Sequence, residues 1–148
     1  MAGKNNIKVA IENLPPGFIA DNINELEYII NEVKKDSLYY DNVGICLDTG
    51  HAFLNEELFD YLNYFQKDII YMHVHDNYGD MNGDKIKVVD DLHNPPGIGE
   101  INWDKFLYKL NSYYFKGPIC FELKDVMTKK GEDSLYILSK FIKSKILI

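Results

Sequence analysis

The stretch VGICLD at Val43–Asp48 is short and largely apolar, and it ends on a carboxylate. Three other stretches are also short and largely apolar: IKVAIE at Ile7–Glu12 and PICFE at Pro118–Glu122 end on a carboxylate, and IIYMHVH at Ile69–His75 ends on a histidine. Each of the four leads into a polar loop and then into a helical pattern of apolar residues. Strands and helices in strict alternation are typical of right-handed βαβ units, so the sequence predicts an α/β fold with a parallel sheet.

The apolar spacing predicts one helix after each strand. In the first helix, Asp21 and Asn22 are candidates for the N-cap, and Glu25 follows Asn22 by three residues, as in a capping box. The third helix is expected to begin near Trp103 and the fourth at about Glu132. The residues expected to face the core are Leu26, Ile29, Ile30 and Val33 in the first helix and Leu58, Leu62 and Phe65 in the second. In the third helix they are Phe106, Leu107 and Leu110, and in the fourth Leu135, Leu138 and Ile142.

The stretch from Asp76 to Glu100 interrupts this alternation with four glycines, two prolines and many Asp and Asn residues. A loop of this length inside a compact domain is commonly functional, and the alternative is a disordered insertion. Gly97 and Gly99 are expected to allow tight backbone turns within it.

The composition disfavours some classes of protein. The net charge is −7 and all 16 basic residues are lysine, so the arginine fork that binds phosphate or guanine in a bidentate way is missing. Nucleic acid is therefore an unfavoured partner. The chain has no run of 18 apolar residues, so no membrane span is expected.

Two features predict a cytoplasmic protein. The chain starts with a polar segment that has no apolar signal-peptide core. Cys46 and Cys120 both lie in predicted strands, where we expect reduced, buried thiols.

A group able to bind a metal lies at or near the end of each predicted strand: Glu12, Asp48, His73 and Glu122. In a parallel α/β protein these ends point into the ligand crevice, so the four side chains should converge on one point. Three carboxylates together would repel one another unless a cation is present. The set suits Mn²⁺, Mg²⁺, Co²⁺ or Zn²⁺ and does not choose among them. Alone, each acid is more often a helix cap and the histidine a core residue; the repetition favours a metal site.

Five motifs, in order, carry a resemblance to a known superfamily: AIEN at 10–13, CLDTGHAF at 46–53, MHVHDN at 72–77, DLHNPPGIGEINW at 91–103 and CFE at 120–122. The chain resembles the xylose isomerase-like barrels, which include sugar and sugar-phosphate isomerases and epimerases and are related to endonuclease IV. The resemblance covers nearly the whole chain, so residues 1–148 are expected to form a single domain.

The resemblance implies a role for each motif residue. Glu12, Asp48, His73 and Glu122 would hold the central metal, and His73 is preferred over His75 because the family reads His-x-x-Asp. His75 would lie behind the ligands or face the substrate. His51 matches a histidine that contacts substrate in the epimerases and binds an extra zinc in endonuclease IV. Asp91 and His93 match the residues that complete that zinc site, so a second metal on His51, Asp91 and His93 is expected as an option.

The resemblance also implies an incomplete barrel. A complete (β/α)₈ barrel needs about 200 residues or more. This chain corresponds to the C-terminal half, with four βα units matching strands five to eight. Its sheet would have open edges and an uncovered interior, so the chain is expected either to be a fragment of a longer barrel or to pair with another half-barrel.

The leading functional hypothesis is a metal-dependent sugar or sugar-phosphate isomerase or epimerase. Glu12 and Glu122 would be the catalytic acid and base, passing protons through an enediolate of a small polyhydroxy substrate. His51 and His75 would contact that substrate. The alternatives are an endonuclease IV-like, zinc-dependent phosphodiesterase acting at abasic sites and an inactive barrel fragment.

Overall fold

The described part of the computed structural model contains one four-stranded sheet with helices between the strands. The structure describes Asn5 and residues 7–36, 40–79, 91–124 and 129–146. The strands are β1 (Val9–Glu12), β2 (Val43–Asp48), β3 (Ile69–Val74) and β4 (Ile119–Phe121). The helices are α1 (Ile23–Lys34), α2 (Thr49–Leu54), α3 (Leu58–Tyr64), α4 (Trp103–Ser112) and α5 (Lys129–Phe141), with a 3₁₀ turn at Tyr40–Asn42 and a π-helical turn at Ile142–Ile146.

All strand pairs are parallel, and the order in the sheet is β1-β2-β3-β4. Asp48 at the end of β2 is in register with His73 near the end of β3. The carboxyl ends of the strands therefore share one edge of the sheet, as the βα alternation predicts. The α/β prediction of a half TIM barrel with four βα units is confirmed. The strands at the two edges are shorter than predicted, since β1 begins at Val9 and β4 spans three residues.

Helix α1 begins where the sequence predicts. The Asn22 side chain accepts a hydrogen bond from the backbone N–H of Glu25 at 3.0 Å, which caps the helix. The Glu25 carboxylate does not complete the reciprocal capping box; it accepts from the Ala20 N–H at 3.0 Å instead. Leu26 and Ile30 are buried on the predicted face.

The segment after β2 forms two helices, where the sequence analysis predicts one. Helix α2 begins directly at the end of the strand, because the Asp48 carboxylate accepts the His51 N–H at 2.8 Å and caps it. Leu58 and Leu62 of α3 are buried as expected, and Phe65 is buried just beyond the end of that helix.

Helix α5 differs most from its prediction. It begins at Lys129, and Leu135, expected to face the core, is 51% exposed. Phe141 is the buried residue, and its ring packs against Trp103 of α4 with centroids 5.3 Å apart. This contact sets which face of α5 is inward, and Leu138 is only half-buried.

A buried aspartate organises the described part of the long loop. The Asp76 side chain is fully buried, and its Oδ2 accepts from the Trp103 indole N–H at 2.8 Å and the Gly97 N–H at 2.9 Å. Its Oδ1 accepts from the N–H groups of Asn77 at 3.0 Å and Ile101 at 3.2 Å. Four donors on one carboxylate tie the loop to the start of α4.

Both glycines expected at turns have a backbone reason to be glycine. Gly97 has φ +93°, which L side chains rarely adopt. At Gly99 a Cβ atom would lie 2.3 Å from the Asn77 carbonyl oxygen. The backbone at Gly99 can therefore pack against Asn77 only because glycine has no side chain. Trp103 opens α4, as predicted. Residues 80–90 of the loop lie outside the described ranges.

We expect Asp76→Asn to lower the free energy of unfolding by about 2–3 kcal/mol, because the amide replaces an acceptor oxygen with a donor that faces N–H groups in a buried site. Guanidinium unfolding monitored by Trp103 fluorescence measures this. The matched control is Asp104→Asn, an exposed aspartate of α4 whose pairing with Lys145 is worth little. Equal midpoints for the two variants would contradict the role given to Asp76.

The two strand cysteines differ in burial. Cys46 and Cys120 are both free; Cys46 is buried, and Cys120 is half-buried, less than expected. Burial and the carboxylates of Glu12 and Asp48 raise the pKa of Cys46 to about 12, so it stays a neutral thiol. None of the helices in the described ranges is long and apolar enough to cross a membrane.

Candidate metal centre

The four residues predicted from the strand ends come together at one point. Glu12, Asp48, His73 and Glu122 each place a ligand-type atom within 4.8 Å of those of the other three. His73 Nδ1 lies 3.1 Å from Glu12 Oε1 and 3.2 Å from Glu122 Oε2, and 4.0 Å from Asp48 Oδ2. We call this set the strand-end group.

The strand-end group is buried on one side and open on the other. The Asp48 side chain is completely buried, those of His73 and Glu12 are about three-quarters buried, and that of Glu122 is 46% exposed. Three carboxylates at this separation repel one another in a poorly solvated site, and a divalent cation relieves the repulsion. The donor set of three carboxylates and one imidazole fits such a cation.

Asn13 fixes the relative positions of the first two strand ends. Its side-chain amide donates to the Asp48 carbonyl at 3.1 Å, and its side-chain oxygen accepts the Asp48 N–H at 2.8 Å. Asn13 is fully buried and follows Glu12 directly, so the pair of hydrogen bonds locks Glu12 beside Asp48. This role of Asn13 is not predicted from the sequence, although the residue lies within the AIEN motif.

A second group lies behind the first and consists of His51, His75, Asp91 and His93, whose ligand-type atoms are also within 4.8 Å of one another. Asp91 Oδ2 lies 2.9 Å from His93 Nε2 and 3.4 Å from His51 Nε2. Asp91 and His93 thus fold back toward His51, and their role as ligands of a second metal stays a prediction. We call this set the histidine group.

The histidine group is electrostatically coupled to its aspartate. Burial alone would lower the pKa of His51, but the hydrogen bond to Asp91 and the charges of Asp48 and Asp91 raise it to about 9. Burial likewise opposes the charged form of His93, and Asp91 raises its pKa. Burial opposes ionisation of Asp91 as well, but the hydrogen bonds from both histidines hold its pKa well below its usual range.

His75 links the two groups. It is fully buried, and its Nε2 lies 2.9 Å from Asp48 Oδ1 and 3.1 Å from Asp48 Oδ2. Its ring stacks on that of His93 with centroids 3.9 Å apart. Of the two positions expected for His75, this burial fits the one behind the metal ligands. The motifs do not predict that His75 joins the histidine group; the sequence signal for it is that His75 follows His73 by two residues, which places both on one face of a strand.

Comparison with known proteins identifies the family. The family model described as "Xylose isomerase-like TIM barrel" matches residues 1–144. Among curated relatives, an uncharacterized protein of Methanocaldococcus jannaschii, MJ1311, is 30% identical over 125 residues, which cover 81% of this chain and 38% of the relative. Apurinic-apyrimidinic endonuclease 1 of Plasmodium falciparum is 29% identical over 147 residues, covering 89% of this chain and 23% of the relative.

Solved structures share the same fold. A D-tagatose 3-epimerase-like protein superposes with a TM-score of 0.73 and 29% identity, covering 96% of this chain and 49% of that protein. The IolI protein, solved with a bound zinc atom, superposes with a TM-score of 0.66 and 20% identity over 96% of this chain and 50% of its own. The chain spans about half the length of these structures and less of the curated relatives. The extent of the family match and the half-barrel of parallel strands lead to one conclusion: this chain belongs to the xylose isomerase-like TIM barrels.

Proposed function

We propose that the chain forms the metal-binding half of a sugar or sugar-phosphate isomerase or epimerase. The observation that carries the proposal is the placement of Glu12 and Glu122, at the ends of the two edge strands, with a carboxylate oxygen of each about 3 Å from His73 Nδ1. Both carboxylates are partly exposed, so a small substrate can reach them.

Two members of the strand-end group, Asp48 and His73, would serve only as metal ligands. Asp48 is fully buried and its carboxylate accepts the His51 N–H, and His73 Nδ1 lies about 3 Å from a carboxylate oxygen of each glutamate. Together with Glu12 and Glu122 they would bind a divalent metal such as Mn²⁺, Mg²⁺, Co²⁺ or Zn²⁺. When bound, the cation polarises neighbouring oxygens of the substrate and acidifies the carbon between them.

Glu12 and Glu122 move the proton. One glutamate, as the carboxylate, would take it from the carbon next to the carbonyl and become a carboxylic acid, which leaves the substrate as an enediolate. The other glutamate, which starts as the carboxylic acid, would give its proton to the neighbouring carbon or to the opposite face of the same carbon and end as the carboxylate. Both glutamates are partly exposed on the open side of the strand-end group. Either one can therefore be the base, and the other is then the acid.

A small polyhydroxy compound is the substrate class that the charge supports. The net charge of −7 and the absence of arginine disfavour a polyanionic duplex. The 29% identity with a D-tagatose 3-epimerase-like protein points to the same class. His51, which is 8% exposed, and His75, which is buried, are weaker candidates for direct substrate contact than the two glutamates.

The proposal predicts metal-dependent exchange of a carbon-bound proton. With a panel of ketoses and hydroxyaldehydes in D₂O, we expect deuterium to enter at the carbon next to the carbonyl, and EDTA to abolish the exchange. NMR of the recovered sugar measures the incorporation. Exchange that persists after chelation, or no exchange with any sugar of the panel under saturating Mn²⁺, Co²⁺ or Zn²⁺, would reject the isomerase.

Phosphodiester hydrolysis at abasic sites is the second candidate, supported by the histidine group and by the likeness to the Plasmodium endonuclease. Cleavage of a duplex carrying one abasic analogue, in excess zinc, is its test. We expect no cleavage above that of the Glu12→Gln variant. An inactive remnant is the third candidate, and it predicts that neither assay shows turnover.

A further inference from the structure

The Asp48 carboxylate is contacted from behind by a buried histidine. His75 is fully buried, and its Nε2 lies 2.9 Å from Asp48 Oδ1 and 3.1 Å from Asp48 Oδ2. The backbone N–H of His51 donates to Asp48 Oδ1 at 2.8 Å. A buried carboxylate is costly unless donors replace the water that it has lost. These two donors, one from a side chain and one from the backbone, therefore orient the Asp48 carboxylate.

The surroundings of the other ring nitrogen indicate which nitrogen of His75 carries the proton. Within the described part of the chain, His75 Nδ1 is inaccessible to solvent and makes no hydrogen bond. Asp91 Oδ1 lies 3.9 Å from it, which is too far for a hydrogen bond. A proton on Nδ1 would be buried without an acceptor, whereas a proton on Nε2 is donated to Asp48. The contacts therefore favour a neutral ring that donates through Nε2.

The His75 ring is not placed to share a cation with its neighbour His93. The two rings are stacked, with centroids 3.9 Å apart and planes 8° apart. The lone pair of an imidazole nitrogen lies in the plane of its ring, so the nitrogens of two stacked rings do not converge on one ion. We propose that His75 is a positioning residue: it holds the metal ligand Asp48 through the Nε2–H and does not itself touch the metal.

Three neighbours hold the His75 ring against Asp48. A Cβ atom on Gly50 would lie 2.0 Å from the ring carbon Cε1, so the ring occupies space that only glycine leaves free. The Thr49 hydroxyl fixes the backbone of His75 through two hydrogen bonds, donating to its carbonyl at 2.8 Å and accepting its N–H at 3.1 Å. The stacked ring of His93 covers one face. His75 therefore cannot swing out toward solvent as an exposed histidine would.

A donor behind Asp48 matters for a metal in front of it. The hydrogen bond from His75 fixes the direction in which the Asp48 oxygens present their remaining lone pairs, and each oxygen has more than one. A ligand that is oriented before the cation arrives loses less conformational entropy when the cation binds. An apolar side chain of similar size would fill the same space without this effect, so donation and space-filling can be separated by experiment.

The test compares two replacements of His75 by calorimetric titration of the full chain with Mn²⁺. His75→Leu keeps apolar bulk and removes the donor, so we expect it to bind Mn²⁺ about 10–100-fold more weakly than wild type does. His75→Gln places an amide N–H where the imidazole Nε2–H was, so its affinity should return close to that of wild type. Wild-type affinity in His75→Leu, or equally weak binding by both variants, would overturn the proposal.

Asp76→Asn is the matched control for a general loss of stability. The Asp76 carboxylate is also fully buried, but it accepts from the Trp103 indole and the Gly97 N–H. This variant should therefore be destabilised and still bind Mn²⁺ with the affinity of wild type. Mn²⁺ binding by Asp76→Asn that is as weak as that of His75→Leu would mean that affinity follows stability, which would contradict a specific role for the His75 donor.

The position of the ring proton is a second readout, and it is measured on wild type, so it does not depend on the folding of a variant. In protein labelled with ¹⁵N-histidine, without added metal, long-range ¹H–¹⁵N spectra should show a neutral His75 ring protonated on Nε2. A proton on Nδ1 would overturn the role of His75 and leave the proposed isomerase standing. The inference rests on the proposed strand-end metal site, so no Mn²⁺ binding by wild type would overturn both.

Discussion

Replacement of Glu122 by glutamine is expected to lower the turnover number about 10²–10⁴-fold in metal-saturated protein. Glu122 is the most exposed member of the strand-end group and lies 3.2 Å from His73 Nδ1. Glutamine keeps the size of the side chain and can still present an oxygen, but it neither accepts nor returns a proton from carbon. The turnover number of Glu12→Gln should fall by a similar factor, because one glutamate removes the proton and the other returns one.

The matched control for these variants is Glu32→Gln. Glu32 is an exposed glutamate of α1 that pairs with Lys35 on the surface, so its loss should leave turnover unchanged. Rates must be compared at saturating metal, because Glu122 and Glu12 are also proposed ligands. A Glu122→Gln variant with wild-type turnover would remove Glu122 from the proton transfer.

The second large effect concerns assembly: we expect the purified chain to self-associate. The inner face of the sheet carries an open apolar cavity of about 340 Å³ lined by Ala10, Ile70, Tyr71, Pro118 and Lys8. Parallel sheets normally have both faces covered. At about 25 cal/mol per Å², leaving roughly 400 Å² of apolar surface in water forgoes on the order of 10 kcal/mol. That is comparable to the whole stability of a domain.

Two copies facing each other would close an eight-stranded barrel, an arrangement that twofold symmetry permits. Light scattering should then give a mass above the 17.2 kDa of one chain. Ala10→Glu, which places a charge on the inner face, should shift the population toward monomer, and Lys105→Glu on the exposed side of α4 should not. A stable, monodisperse wild-type monomer with a cooperative melt would contradict the expectation.

The convergence of the strand-end group was predictable because it depends on topology alone. Once strands are parallel and adjacent, residues such as Asp48 and His73 at their carboxyl ends lie at one edge of the sheet, and this does not depend on the conformation of the loops. This prediction uses the strand topology and does not require knowledge of side-chain packing. The convergence of the four side chains is therefore predicted correctly, while their roles as ligands and catalysts stay predictions.

Other features depend on contacts that a local pattern does not contain. The Asp76 carboxylate takes N–H donors from as far away as Trp103, 27 residues on. The inward face of α5 follows from the packing of Phe141 on Trp103, so periodicity alone selected Leu135 wrongly. Helix α2 is not predicted by apolar periodicity, because it spans only six residues and begins directly at the end of β2. The burial of His75 depends on the space left by Gly50.

The central claim is that the strand-end group binds a divalent cation, and calorimetric titration with Mn²⁺ tests it most directly. Mn²⁺ is the suitable probe because it prefers carboxylate-rich sites over sites of three imidazoles. We predict that wild type binds one Mn²⁺ per chain and that Asp48→Asn binds it at least about 100-fold more weakly, since a buried charged ligand is lost. The control Asp104→Asn should match wild type. Unchanged Mn²⁺ affinity in Asp48→Asn, or no binding in wild type, would contradict the account.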